Sequence, residues 1–211
     1  MQLMMAKTNL NIKLFFLIKF FLIYFIFCSI SFGEDINIKN NLITIGNDNA
    51  PIKIKVFSSL TCPHCADFHI KVVPKIKEKY IENGTVQLIF IDFPLDQFAF
   101  NASKLLHCLD KEKQKKFLDT LYENQNHWAS GTDANQINNN LKNIVKNFGI
   151  DSSQFDKCLN NDIISDKILN GRIKGHEKYS INSTPTIIIN EKKLEGSASF
   201  KNIQKKIEKL I

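Results

Sequence analysis

The residues of this chain best suited to chemistry are two cysteines separated by two residues, in the sequence Cys62-Pro63-His64-Cys65. They follow the apolar run at residues 52–57 and open a helix-prone stretch. The start of a helix presents free backbone N–H groups and the positive end of the helix dipole, and both stabilise a thiolate. Because the thiolate is the reactive form in disulfide exchange, this pattern predicts a reversible redox disulfide.

The positions of the two sulfurs predict different roles for them. Cys62 caps the helix and is expected to be the attacking, partly exposed thiolate, whereas Cys65 lies one turn further in and resolves the mixed disulfide. Pro63 suits the first turn, where its missing N–H costs nothing. The imidazole of His64 could donate a hydrogen bond to the Cys62 sulfur or add positive charge, which would make the disulfide more oxidising. Its alternative role is that of an exposed spacer.

Cysteine pairs of this spacing also occur in zinc sites, which usually need about four ligands, often from a second closely spaced pair. His69, Cys108 and Cys158 are not placed to complete such a set. We therefore expect no metal, and no cofactor besides the redox-active disulfide. A non-catalytic metal-binding protein or holdase that uses the same cysteines remains the alternative from another functional class.

A second motif, Ser183-Thr184-Pro185-Thr186, directly precedes an apolar strand. A proline entering a central strand is normally disfavoured, and a cis Thr184–Pro185 bond at a strand-opening turn resolves this conflict. The backbone of Thr184 would then be free to pair with an extended substrate peptide beside the two cysteines. We therefore predict that Thr184 and Pro185 bind substrate; the alternative is a trans proline in an ordinary loop.

The surrounding pattern predicts the elements that position these motifs. Alternating and then continuous apolar residues predict two parallel strands joined by a helix, with a kink at Pro74. Helical periodicity then dominates for about 80 residues before strand character returns. The predicted strands span residues 41–46, 52–57, 85–93, 186–189 and 193–194, and a final amphipathic helix spans residues 200–210.

The N-terminal segment differs in composition from the rest of the 211-residue chain. Residues 1–33 contain three lysines, no acidic residue and a short apolar run, which predicts a secretory signal peptide cleaved between Gly33 and Glu34. An uncleaved anchor at residues 14–32 is the alternative. Cleavage would lower the net charge from +7 to +4, and the lysines are scattered without interleaved aromatic residues, so nucleic acid binding is not expected.

Taken together, the motifs resemble those of the DsbA family of bacterial periplasmic thiol:disulfide oxidoreductases. The resemblance rests on the sequence Cys62-Pro63-His64-Cys65, the long helical insertion and the pair Thr184-Pro185. It extends to residues 92–95 with the helix start that follows, to the segment at residues 121–128, and over most of the chain from residue 52 to the C-terminus. The chain differs at Ser183, where many relatives have glycine.

This resemblance implies an α/β thioredoxin fold with a central mixed sheet flanked by helices. Residues 34–94 and 179–211 would form the thioredoxin-like domain, and residues 95–178 an inserted α-helical domain. It also implies a periplasmic monomer that oxidises reduced exported polypeptides and is reoxidised by a DsbB-type quinone-linked membrane oxidase. A disulfide isomerase or reductase is the alternative, although residues 34–51 are too few for the separate dimerisation domain of the isomerases.

Cys108 and Cys158 lie 50 residues apart in the predicted insertion. Oxidising compartments permit stable disulfides, and some DsbA relatives have such a second bond. We therefore expect a structural disulfide between them; two buried free thiols, which pack as small apolar groups, are the alternative.

Overall fold

A five-stranded mixed sheet is the centre of this computed structural model, which describes residues 42–131 and 133–211. The spatial order is β1-β3-β2-β4-β5, with β2 and β3 parallel and the other pairs antiparallel. The strands are β1 (Ile43–Ile45), β2 (Ile52–Ser58), β3 (Val86–Asp92), β4 (Thr186–Ile189) and β5 (Lys192–Lys193). Both the predicted signal peptide at residues 1–33 and its alternative as an anchor lie outside the described residues.

The connection from β2 to β3 is helical and changes its winding three times. Helix α1 (Pro63–Asp67) passes into a wider π-helical turn (Phe68–Val72), then α2 (Val73–Ile76), then a second π-helical turn (Lys77–Ile81). Pro74 lies in the first turn of α2, where the preceding wide turn makes its missing N–H harmless. The irregularity expected at Pro74 is therefore a change of helical winding, and the helical segment continues past it.

Among the residues that the structure describes, six helices lie between β3 and β4, and one follows β5. The six are α3 (Gln97–Cys108), α4 (Lys111–Glu123), α5 (Gln125–Trp128), α6 (Ala134–Lys146), α7 (Ser152–Leu159) and α8 (Asp162–Tyr179), and the last is α9 (Phe200–Ile207). Apolar side chains of α3 to α7 and of α9 join those of the sheet in one core, in which Trp128 and Phe117 are fully buried. A second, smaller cluster is formed by Phe57, Phe93, Ile181 and Ile188, with Tyr179 of α8 packed against it. The thioredoxin-like α/β fold is confirmed, while the domain boundaries at residues 95 and 178 stay predictions. In the described part of the chain, no helix is long and apolar enough to cross a bilayer.

A buried polar contact joins the end of β3 to helix α3. The Asp92 carboxylate accepts a hydrogen bond of 2.6 Å from the Ser103 hydroxyl and lies 2.6 Å from Nε2 of His107. Burial alone would raise the pKa of Asp92, but the His107 charge and these hydrogen bonds outweigh it and lower that pKa. This contact fixes α3 against the sheet one strand away from the cysteine pair.

Candidate active site

The turn from β2 into α1 places the two cysteines at the start of the helical segment. Cys62 is the N-cap of α1, and its backbone oxygen accepts hydrogen bonds from the N–H groups of Cys65 (3.0 Å) and Ala66 (3.2 Å). Pro63 occupies the first turn. Both cysteines are free thiols, with Cys62 9% exposed and Cys65 1% exposed. The sulfur that is more accessible to another molecule is therefore that of Cys62.

The sheet brings the second sequence motif beside Cys62. The Thr184–Pro185 peptide bond is cis and leads directly into β4, which pairs with β2 through Phe57 and Thr186. The Cys62 sulfur lies 3.4 Å from the backbone carbonyl oxygen of Thr184, to which the protonated form of the thiol donates a hydrogen bond. Two motifs that are 122 residues apart in the sequence thus share one site.

The local electrostatics separate the two thiols. The pKa of Cys62 is lowered from 9.0 to about 5, chiefly by a hydrogen bond from the Cys65 thiol. The Thr184 hydroxyl and the backbone N–H groups of Cys65 and His64 also stabilise the thiolate, and together these groups outweigh the effect of burial. The Thr184 hydroxyl is buried and has no hydrogen-bond partner within residues 42–131 and 133–211, which leaves it free to turn towards the Cys62 thiolate. Near neutral pH, Cys62 is a thiolate.

The pKa of Cys65 moves in the opposite direction. Its hydrogen bond to the Cys62 sulfur and its burial both favour the protonated thiol and raise its pKa well above the usual range. Cys65 therefore keeps its proton while Cys62 is ionised. This is the asymmetry expected for a nucleophile and a resolving thiol.

His64 contributes to the site through its backbone. Its side chain is exposed, and its N–H is one of the groups that lower the pKa of Cys62. The imidazole lines a groove of about 440 Å³ together with Phe68, Pro185 and the loop at residues 196–199. A role for the imidazole in tuning Cys62 stays a prediction.

Comparisons with known proteins agree with this geometry. Residues 39–209 match the family described as Thioredoxin. The crystal structure of Wolbachia pipientis alpha-DsbA1 has 32% sequence identity and a TM-score of 0.72, over 81% of this chain and 91% of that one. The chain belongs to the DsbA family. It is also 29% identical to the Bacillus cereus protein named probable disulfide bond formation protein D, over 79% of this chain and 77% of that protein. This member of the DsbA family is a protein disulfide oxidoreductase.

The second cysteine pair of this DsbA-family chain lies at the ends of two helices. Cys108 is the last residue of α3 and Cys158 lies in the last turn of α7, with their Cα atoms 5.9 Å apart and their sulfurs bonded. The bond cross-links two helices that follow β3. Because both sulfurs are consumed in it, this pair is separate from the free thiols at the active site.

Sequence reasoning missed a buried glutamine beside the active-site turn. The side chain of Gln125 is 5% exposed and donates hydrogen bonds to the backbone oxygens of Leu60 and Cys62. Its partners are main-chain atoms more than 60 residues away, so no local pattern marks it. The available signal was its place in the segment at residues 121–128, over which the family resemblance extends.

Sequence reasoning also missed the role of His69, which takes part in a buried polar contact. Its Nε2 lies 2.8 Å from a carboxylate oxygen of Asp119, and its ring packs on that of Tyr122 with 4.7 Å between centroids. Burial and the nearby Cys65 raise the pKa of Tyr122 well above its usual value, so its hydroxyl stays protonated. These residues line the interior side of the helical segment that carries the cysteines.

No group of three or more histidine, cysteine or acidic side chains that could hold a metal ion is found in the described ranges.

Proposed function

We propose that this protein is a periplasmic dithiol oxidase that donates the Cys62–Cys65 disulfide to exported polypeptides as they fold. The observation that carries the proposal is the geometry of the cysteine pair: Cys62 is the N-cap of α1 and the more exposed cysteine, and Cys65 is buried one turn further in. The lowered pKa of Cys62, about 5, and the raised pKa of Cys65 agree with this placement. A thiolate that is stable in the folded protein favours the reduced form, and a disulfide that is easily reduced is a strong oxidant.

The reaction proceeds in two exchange steps. A substrate thiolate attacks the Cys62 sulfur of the oxidised protein, the Cys62–Cys65 bond breaks, and Cys65 leaves and takes up a proton. The second substrate thiolate then attacks the substrate sulfur of the mixed disulfide and releases Cys62 as a thiolate. A thiol of low pKa is the better leaving group, so the second step is fast in this direction. Two electrons pass from the substrate dithiol to the enzyme pair.

The groove beside His64 and Pro185 is suited to an extended peptide segment. It is lined by the apolar side chain of Phe68 and by the short polar loop at residues 196–199. Thr184 and Pro185 line this groove, and the backbone oxygen of Thr184 lies 3.4 Å from the Cys62 sulfur. We infer that the substrate cysteine approaches Cys62 along this groove.

Export through the N-terminal segment and reoxidation by a DsbB-type quinone-linked membrane oxidase complete the proposal. The relatives named for disulfide bond formation support a role in making disulfides. The even number of cysteines after residue 33 suits an oxidising compartment.

The test is the reduction potential of the Cys62–Cys65 pair, measured by equilibration with glutathione buffers. An oxidase predicts a potential more positive than about −180 mV, the value typical of protein disulfide isomerase. A potential near −270 mV, as in thioredoxin, would indicate a reductase. The roles of the two cysteines are tested separately with single variants. Cys65→Ser should accumulate mixed disulfides through Cys62, whereas Cys62→Ser should accumulate none.

A further inference from the structure

Gln125 makes an unusual connection between the helices that follow β3 and the active-site turn. Its side-chain nitrogen donates hydrogen bonds to the backbone oxygens of Leu60, at 2.8 Å, and of Cys62, at 3.0 Å. Both oxygens belong to the turn that leads into α1, and the second belongs to the nucleophile itself. One buried amide thus holds this turn by two hydrogen bonds.

The support behind Gln125 is rigid. The residue begins the short helix α5, which ends at the fully buried Trp128. The indole of Trp128 donates a hydrogen bond of 2.8 Å to the backbone oxygen of Leu121, and the backbone oxygen of Gln125 accepts one of 2.9 Å from Ala129. A side chain held by packed elements can fix its partners more accurately than one on a loop.

We propose that Gln125 is a positioning residue, whose amide fixes the turn so that the Cys62 sulfur stays against the N–H groups at the start of α1 and the Thr184 hydroxyl. The inference rests on the proposed function only in taking Cys62 as the nucleophile. Gln125 bonds to backbone oxygens of the turn, so it acts through the placement of Cys62.

The physical argument concerns geometry and burial. Without the two N–H donors of the Gln125 amide, the Leu60 oxygen loses a hydrogen bond inside the protein. This loss costs free energy and favours a shift of the turn. Hydrogen bonds weaken steeply as their angles and distances depart from the preferred values, so a small shift of Cys62 weakens several thiolate contacts together. The thiolate then becomes less stable and a poorer leaving group.

The test replaces Gln125 by a side chain of similar length that cannot donate. In Gln125→Met we expect the pKa of Cys62, read from the pH dependence of iodoacetamide alkylation and from thiolate absorbance, to rise by about one unit. We also expect a tenfold change in the equilibrium constant with glutathione, equivalent to a potential about 30 mV less oxidising.

Gln114 provides a matched control. It is also buried, lies on α4, and donates a single hydrogen bond of 3.0 Å to the backbone oxygen of Leu109, away from the active-site turn. Gln114→Met should lower the melting temperature and leave the pKa of Cys62 and the potential at their original values. A Gln125→Met protein with an unchanged Cys62 pKa, or a Gln114→Met protein with an equal shift, overturns the proposal.

A second variant covers the case in which Gln125→Met does not fold. Gln125→Leu removes both N–H donors and adds no charge beside the thiolate. Its Cys62 pKa should also rise, and an unchanged value overturns the proposal. The shifts in Cys62 pKa and in potential are measured between variant and unsubstituted protein, so they do not depend on whether the protein oxidises or reduces its substrates. If the protein proves to be a reductase, the proposed function is refuted and the role of Gln125 is still tested.

Discussion

Cys62 and Cys65 have nearly the same chemistry in an unfolded chain and opposite pKa shifts in this fold. The difference arises because one sulfur caps a helix and accepts hydrogen bonds, while the other lies deeper and donates one. The sequence predicted this asymmetry because helix position could be deduced from the apolar run before Cys62. The contribution of the Thr184 hydroxyl could not be predicted, since it depends on how β4 pairs with β2.

His64 allows the contributions of backbone and side chain to be separated. In His64→Ala the backbone N–H beside Cys62 is kept and only the imidazole is lost. If the imidazole stabilises the thiolate, the Cys62 pKa should rise by about one unit and the potential should fall by roughly 30 mV. Thiolate titration and glutathione equilibration measure both. Values equal to those of the unsubstituted protein would show that His64 acts only as a spacer.

At the scale of the elements, the disulfide between α3 and α7 constrains the helices that follow β3. Closing a loop of 50 residues restricts the unfolded chain, and the loop-entropy argument assigns roughly 3–5 kcal/mol to such a bond. Cys108→Ala/Cys158→Ala should therefore unfold at lower denaturant concentration while retaining disulfide oxidoreductase activity at a permissive temperature. A folded double variant without activity would instead assign this pair to the electron-transfer path.

Two glycines of α8 give a matched pair that tests how this helix packs on the sheet. A Cβ atom on Gly175 would lie 2.6 Å from a ring carbon of Phe57 in β2, whereas one on Gly171 would meet only Ile91, at 3.9 Å. Gly175→Ala should lower the free energy of unfolding by about 1–3 kcal/mol through overpacking. Gly171→Ala should be neutral or stabilising by up to about 1 kcal/mol, because alanine favours the helix. Denaturation of both variants decides between these outcomes, and equal effects would contradict the packing described.

Some elements could be predicted from the sequence and others could not, for a physical reason. Strands β2 and β3 and the start of the helix at Cys62 could be predicted, because the spacing of apolar residues and the capping residues that define them lie within a few positions of each other. The π-helical turns around Pro74 do not, because a wider turn leaves the same apolar face buried. Gln125 and the His69–Asp119 pair escape prediction because their partners are set by tertiary packing.

For the whole molecule, the low pKa of Cys62 links stability to redox state and pH. A folded-state pKa of about 5 against an ordinary 9.0 means that the ionised thiol stabilises the reduced protein above pH 5 and loses this effect as the pH falls through 5. At pH 7, which is about two units above the folded-state pKa, ionisation of Cys62 stabilises the reduced protein by at most roughly 3 kcal/mol. Solvent screening reduces this value. Cys65 adds nothing below pH 9, since it is protonated in both states.

The reduced protein should therefore gain stability relative to the oxidised protein as the pH rises from 5 to 8. Denaturant unfolding of both redox forms at several pH values measures this gap, and the other titrating groups largely cancel in the difference. A gap that does not change with pH would contradict a thiolate at Cys62. The Cys62→Ser variant should show no pH-dependent gain over the oxidised form.

The order of the strands has a consequence for a protein that handles unfolded chains. The outermost strands are β1, with three residues, and β5, with two exposed lysines. The two seven-residue strands β2 and β3 and the fully buried strand β4 therefore lie inside the sheet. Long, unpaired edges act as templates on which extended segments add and aggregate. Because its edge strands are short or charged, the sheet offers a substrate polypeptide few free backbone groups to pair with. On the proposed function, the groove beside Cys62 is the surface left for an unfolded polypeptide, where the encounter can end in bond exchange and release.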